Sequence, residues 1–393
     1  MSEVQVETAE QAERHATNLE LFLDLVFVFA ITQIASLISH HPTGTGTAKG
    51  FLMAVMVWWQ WSQFTWAGSA IDLQRTARTR ALVLGCIPLT LIMTISIPDS
   101  FHGSGLWFAG AYLGVQLLVL GMQGSVSLFD PVLRPAFIRY ASLATIAPVV
   151  VLLGAFTHDN VRVCVWVGAA LLNLVGGLRA ASGEWAINSV HFAERHSLFI
   201  IISLGEVLVA AGATATEITL DRLTAFAIVV SVGVACMMWW TYFAFIPDVG
   251  EHTLRTARGP ARAVLARDLY TFGHVPLVFG IVLYAVVVKH LVPQPEGHLS
   301  VDDRWLLALS VVFFVGGLLS FQFRVVRRLA PERLATIALA VAICAFGGRI
   351  PGLAVVAAVA VMLGVMQTIT LRRFRRSEVA QSLAPHYQHD CGR

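Results

Sequence analysis

Apolar residues run along this chain in long, nearly uninterrupted blocks, with neither the strict alternation of a half-buried strand nor the narrow stripe of a surface helix. About 20 such residues, rising 1.5 Å each, cross a hydrocarbon core of about 30 Å, so each block reads as a membrane-spanning helix. The pattern predicts helices over 20–39, 49–69, 81–98, 105–124, 138–157, 161–178, 196–213, 222–245, 270–291, 304–324, 334–348 and 352–371. The eleventh is short enough to be re-entrant. The expected fold class is an all-α integral membrane protein of about twelve transmembrane helices, with a polar segment at 1–19 and a basic tail at 373–393.

Composition agrees with that count. Apolar residues make up 56% of the 393 positions and only 13% are charged, roughly half the charged fraction of a soluble globular protein. The opening residues, MSEVQVETAEQAERHATNLE, are polar and acidic and lack the basic start and short apolar core of a cleaved signal peptide, so the first apolar block is expected to stay as a helix. The five cysteines show no CxxC spacing, which suggests neither a disulfide framework nor a thiolate metal site. No cofactor and no nucleic acid is implied; the expected partners are membrane lipids and a small ion or solute, with self-association left open.

The net charge of +3 conceals an asymmetry between alternate connections. Those on the side of the N-terminus hold 21 Lys and Arg residues, among them Arg14, Arg75, Arg78, Arg258, Arg328 and Arg373, and those on the other side hold 6, among them Lys49, Arg162, Lys289 and Arg304. Cytoplasmic loops carry the excess, so both termini are expected in the cytoplasm of a bacterial inner-membrane protein.

The chain also repeats itself. Ala12-Glu13-Arg14-His15 recurs as Ala193-Glu194-Arg195-His196, Trp58-Trp59-Gln60-Trp61 is echoed by Trp239-Trp240-Thr241-Tyr242, and Arg75-Thr76-Ala77-Arg78 recurs as Arg255-Thr256-Ala257-Arg258, at offsets of 181, 181 and 180. An offset near half the chain predicts two parallel six-helix repeats, 20–181 and 182–372. In membrane proteins built this way a site commonly lies between the halves near the bilayer midplane.

Residues that cost free energy in lipid mark where to look. In the first block Glu20 and Asp24 stand four apart on one helix face, with Thr32 not far around it. An acidic residue at a helix centre costs about 2.5–3.5 kcal/mol, against a gain of about 0.3–0.6 for each Leu, Ile, Phe or Val. The repeat register brings Asp24 within one residue of Glu206, which lies well inside the seventh block, so both are expected at similar depth as paired carboxylates binding a cation or proton. Glu20 is a further binding candidate, although a helix-start carboxylate favouring the N-terminal dipole explains it equally well. His191, Glu194, Arg195, His196 and Arg14 are candidates for a gate or relay at the cytoplasmic mouth, or else obey charge topology. Trp59, Gln60, Trp240 and Tyr242 are candidate cavity-lining residues; an interfacial belt is the alternative for the aromatic ones, whereas a buried amide such as Gln60 should face protein. His274, alone in the ninth block, is expected to be satisfied locally. No phosphate-binding GxxxxGK[ST], HExxH or GxSxG run is present, which argues against ATP-driven transport and the common hydrolase constellations.

Glu20 to Gln33, ELFLDLVFVFAITQ, with Glu194 to Glu206, ERHSLFIIISLGE, resembles the two most recognisable motifs of the bacterial low temperature requirement A family. Trp239 to Phe243, WWTYF, is similar to that family's WWxYF segment. The resemblance implies a twelve-helix membrane protein with Glu20, Asp24, Glu194, Arg195 and Glu206 on its characteristic polar positions. This chain departs from the pattern at His196-Ser197, where an aromatic and Gly are usual, at Ala244, where Asp is usual, and after the second block, where an acidic stretch shrinks to Asp72. The family is named for a growth phenotype, so its name supplies no mechanism. The expected function is a secondary transporter or channel-like protein using intramembrane carboxylates. A membrane-embedded enzyme acting on a lipid or isoprenoid, and a structural or regulatory protein whose acids are tied up by buried basic partners, are the alternatives.

Overall fold

The computed structural model describes residues 14–180 and 183–374; the first member of the AERH repeat, before Arg14, and most of the basic tail lie outside them. Among the described residues there are twelve long helices and no strand. They are α1 (Asn18–His40), α2 (Gly44–Ala70), α3 (Ala77–Ile95), α4 (Gly105–Ser127), α5 (Arg134–Gly154), α6 (Asp159–Ala180), α7 (Ser189–Thr216), α8 (Arg222–Phe243), α9 (His274–Leu291), α10 (Val301–Val326), α11 (Pro331–Phe346) and α12 (Gly352–Phe374). Every predicted block is a helix. Eleven helical segments are long and apolar enough to cross a membrane, α11 with its following turn included. The long helix outside that set is α2, whose Trp58–Gln63 stretch lowers its hydropathy, and it survives in the interior because protein rather than lipid surrounds those groups.

Helix ends follow side-chain chemistry. Thr17 caps α1 and Glu20 reaches back to the Thr17 amide in a capping box. Asn188 caps α7 by accepting from the His191 amide, which starts this helix at Ser189 rather than near 196. His191, Glu194, Arg195 and His196 therefore sit inside a helix rather than in the connection before it. Two pieces had no counterpart in the predicted pattern: an amphipathic connecting helix, Ile246–Thr256, and a π-helical turn, Ala266–Phe272, leading into α9. Pro276 has no N–H to offer the Phe272 carbonyl, which breaks the regular ladder there. Gly273 is required at the junction because a Cβ would fall 2.4 Å from the Leu269 carbonyl oxygen.

The most deeply buried helix is α9, packed against α1, α7, α8 and α10. At Gly280 an added Cβ would lie 2.7 Å from both the Phe314 amide nitrogen and the Ser310 carbonyl oxygen, so the backbones of α9 and α10 meet almost directly. One end of the bundle gathers the basic loops: Arg14 bonds the Ser69 carbonyl, the Ser69 hydroxyl accepts from the Asn188 amide (2.7 Å), and Asp268 joins Arg267 and Arg324. At the other end basic residues are spent on carbonyls. Arg162 donates to Ser100, His102, Ala155 and Thr157, and Arg304 to Cys344 and Ala345, satisfying groups that helix termini leave free.

A candidate polar seam between α1, α7 and α9

Five groups of polar side chains lie along α1 and its approach where they meet α7 and α9. At the basic end Glu194 accepts from the Ala16 amide (2.8 Å) and from His15 Nδ1 (3.2 Å), fastening the approach to α1 onto α7. One turn further in, buried Glu20 accepts from His191 Nε2 (2.9 Å) and from the Thr17 amide and hydroxyl (2.9 Å each), with Arg195 Nε 3.9 Å away. Gly68 of α2 makes room for this pair, since a Cβ there would come within 2.3 Å of Glu20 Oε1. A cavity of about 120 Å³, lined by Arg14, His15, Thr17, Glu20, Gly68 and His191 among others, opens onto it.

Asp24 follows. Arg195 grips its carboxylate with two parallel bonds, Nη1 to Oδ2 at 2.5 Å and Nη2 to Oδ1 at 2.9 Å, and Trp61 Nε1 donates a third at 2.9 Å. The guanidinium also lies 5.5 Å from the Trp61 ring centroid. Both charges are buried, Arg195 completely. Eight residues along α1, Thr32 donates to Glu206 Oε2 (2.5 Å), while Lys289 Nζ stands 3.1 Å from Glu206 Oε1 as an ion pair off the line of a hydrogen bond. At the far end Ser39 donates to His290 Nε2 (2.8 Å), His290 Nδ1 donates to Asp303 Oδ1 (2.5 Å), and Ser300 donates to Asp303 Oδ2 (2.7 Å).

This arrangement corrects the expected pairing of Asp24 with Glu206. The two belong to different levels, separated along α1 by the eight residues from Asp24 to Thr32, about 12 Å. The repeat register set Asp24 too deep because α7 begins earlier than the sequence suggests, which puts Arg195 rather than Glu206 opposite it. Each acid has its own cation.

The remaining candidates are dispersed. His196 is completely buried among the rings of Trp58, Trp61, Phe192, Tyr270 and His274, with centroids 4.7–5.8 Å away. It donates from Nδ1 to the Phe192 carbonyl (2.8 Å) and packs as an aromatic side chain would. Tyr242 shares this cluster and bonds His274 Nε2 (2.8 Å), while His274 Nδ1 donates to the Leu269 carbonyl (3.0 Å), so that histidine is satisfied locally. Gln60 is buried and donates to the Tyr112 carbonyl (3.3 Å), away from the seam. Trp59 lines a small separate cavity with Gln63, Tyr140 and Trp185. Trp240 is 47% exposed and flanks a surface groove beside α12, so it does not line an internal cavity. Sequence reasoning missed Lys289, His290 and Asp303. Their signal was the Lys289-His290 pair closing a strongly apolar block, which counting charges as loop residues conceals.

Fold and seam together define a polytopic helical membrane protein in which buried charges pair across helices. The chain belongs to a family: residues 15–368 match the model of the bacterial low temperature requirement A protein (LtrA). It is also 30% identical over 285 residues to an uncharacterized protein of Rhizobium meliloti (strain 1021), covering 68% of this chain and 67% of that one. No solved structure matches it.

Proposed function

We propose that this protein is a secondary transporter or channel-like protein of the bacterial inner membrane that moves a proton or small cation along the α1–α7–α9 seam. The observation that carries this reading is the length of the file. From Glu20 to Ser39, α1 presents an ionisable or hydroxyl-linked group at each of four levels over roughly 28 Å, close to a full hydrocarbon thickness. Ionisable groups at such depth are rare unless they serve a path or a partner. The mobile station is Glu206, because Lys289 is a point charge on a flexible stem, 23% exposed, that can release its acid. Asp24, in the fixed fork of Arg195, is the anchor. The expected orientation, with both termini in the cytoplasm, places the cavity at Glu20 and His191 as a cytoplasmic vestibule.

Duplication of a six-helix unit fits the same reading. Contacts of α1 with α2 and α3, α3 with α4, α4 with α5, α5 with α6 and α2 with α6 have counterparts in α7 with α8 and α9, α9 with α10, α10 with α11, α11 with α12 and α8 with α12. The seam runs where the first helices of the two halves touch. Purified protein in liposomes is expected to show pH-driven proton or cation flux that Glu206→Gln abolishes at an unchanged protein level. Normal flux in Glu206→Gln removes Glu206 from the mechanism and the proposal with it.

A second reading rests on the far end of the file. Ser39, His290 and Asp303 are hydrogen-bonded in the order of nucleophile, base and orienting acid, a constellation recognised by geometry rather than by motif. Attack of Ser39 Oγ on a lipid ester carbonyl would pass its proton to His290 Nε2 and on to the departing alkoxide, leaving an acyl-serine for water to hydrolyse. This reading ranks second because Ser39 lies in the last turn of α1, where helix carbonyls disfavour an oxyanion. A fluorophosphonate probe that labels wild type but not Ser39→Ala would promote it; an unlabelled wild type removes it.

A further inference from the structure

At the basic end, the C-terminal part of α10, the start of α11, the end of α12 and the connecting helix Ile246–Thr256 surround a cavity of about 400 Å³ that shares no lining residue with the seam. Its walls are apolar, formed by Phe245, Val249, Phe321 and Val325. Val326 and Leu329, also on its lining, are 41% and 55% exposed, so apolar surface continues from the cavity to the outside of the bundle.

Its polar side is cationic. Arg328, Arg333 and Arg373 line it against a single acid, Glu332, which is already paired with Arg373. Arg333 is 4% exposed; its Nη1 donates to the Leu318 carbonyl (2.6 Å), but its Nε has no hydrogen-bond partner among the described residues. Alongside it, α11 begins at Pro331 with Ala330 in the capping position; Pro331 has no N–H and the Arg333 amide donates to the Ala330 carbonyl (3.1 Å), which leaves the Glu332 amide of this 16-residue helix without a side-chain cap. A buried guanidinium with one N–H left unpaired and a helix start without a side-chain cap both favour an anion.

We infer that this cavity is a binding site for an anionic glycerophospholipid, with the phosphate held by Arg328, Arg333 and the start of α11 and one acyl chain lying against Phe245, Phe321 and Val325. Charge and shape decide between occupants. A free phosphate would leave the apolar walls empty, and a zwitterionic lipid would bring a second cation beside three arginines. Basic pockets between transmembrane helices on the cytoplasmic side hold anionic headgroups in this way.

Full-length protein in phosphatidylcholine nanodiscs containing a minor fraction of phosphatidylglycerol supplies the test, read by native mass spectrometry as phosphatidylglycerol retained per protein. Wild type is expected to retain it in preference to phosphatidylcholine, and Arg333→Gln or Arg328→Gln to retain about fivefold less, as expected for one basic residue near an anionic headgroup. Arg80→Gln, an exposed arginine outside this cavity, should change nothing. Val325→Trp, which fills the cavity and leaves every charge in place, should also release the lipid and serves if an arginine variant does not fold. Equal retention in wild type, Arg333→Gln and Val325→Trp would overturn the site. Displacement of the lipid by glycerol phosphate at matched concentration would overturn the role of the chain.

Discussion

Asp24 and Glu206 are equally buried carboxylates, each facing a basic side chain from another helix, yet they are held in different ways. Asp24 receives three hydrogen bonds, two from a planar guanidinium that cannot rotate without breaking both and one from an indole locked in the core. Glu206 receives one hydrogen bond from a threonine hydroxyl and a single ammonium contact. An arginine holds a carboxylate through a planar fork of fixed geometry, whereas a lysine is a single point charge on a flexible stem that can swing away. The first site is held by more bonds of fixed geometry than the second, and on the proposed reading it is the second that changes state, although hydropathy assigns both the same cost.

Breaking the firm site has the largest expected consequence. Arg195→Ala leaves Asp24 buried without a cation and is expected to destabilise the protein by about 3–5 kcal/mol, measured as loss of folded yield and a lower unfolding temperature in detergent. Arg195→Lys should rescue little, because an ammonium cannot reproduce the two parallel bonds. Trp61→Phe removes one bond to a charged group and should cost about 1.5–3 kcal/mol by the same measurement. If it costs nothing, the Asp24 site is less rigid than its geometry implies.

At the Glu206 site the expectation reverses. Lys289→Met removes one partly exposed ammonium contact and leaves Glu206 its bond with Thr32, so stability should fall by less than about 2 kcal/mol while flux changes markedly. A loss as large as that of Arg195→Ala would erase the distinction between the sites. The smallest effect is expected outside the bundle, at Asp221, the exposed cap of α8, whose carboxyl is held below its ordinary value of 3.8 by the Thr224 amide. Its contribution is present above that value and fades as pH falls through the depressed one. Unfolding curves of wild type and Asp221→Ala should therefore differ slightly at neutral pH and converge on acidification.

How much of this was legible differs between backbone and site. Twelve apolar blocks are twelve helices, and α1, α8 and α12 end within a few residues of their predicted limits, because the cost of exposing backbone polar groups to lipid acts on each segment separately. The early start of α7 was concealed because His191, Glu194, Arg195 and His196 look like loop residues. They are helical because α1 and α2 supply their partners. His196 shows the same limit: a histidine next to an arginine suggests proton traffic, and only its enclosure by five rings shows it acting as an aromatic.

The sequence by itself determined that the chain is helical, belongs in a membrane, holds costly carboxylates in its first and seventh apolar blocks, and carries its basic residues in alternate connections. Each of these follows from a local cost summed over neighbours in the chain. Which cation faces which acid, the separation of Asp24 from Glu206 by about 12 Å along α1, and the recruitment of Lys289, His290 and Asp303 were decided only by tertiary structure. Helix rotation and stagger depend on packing between segments far apart in the chain, and a shift of a few residues in one helix exchanges every partner along the seam.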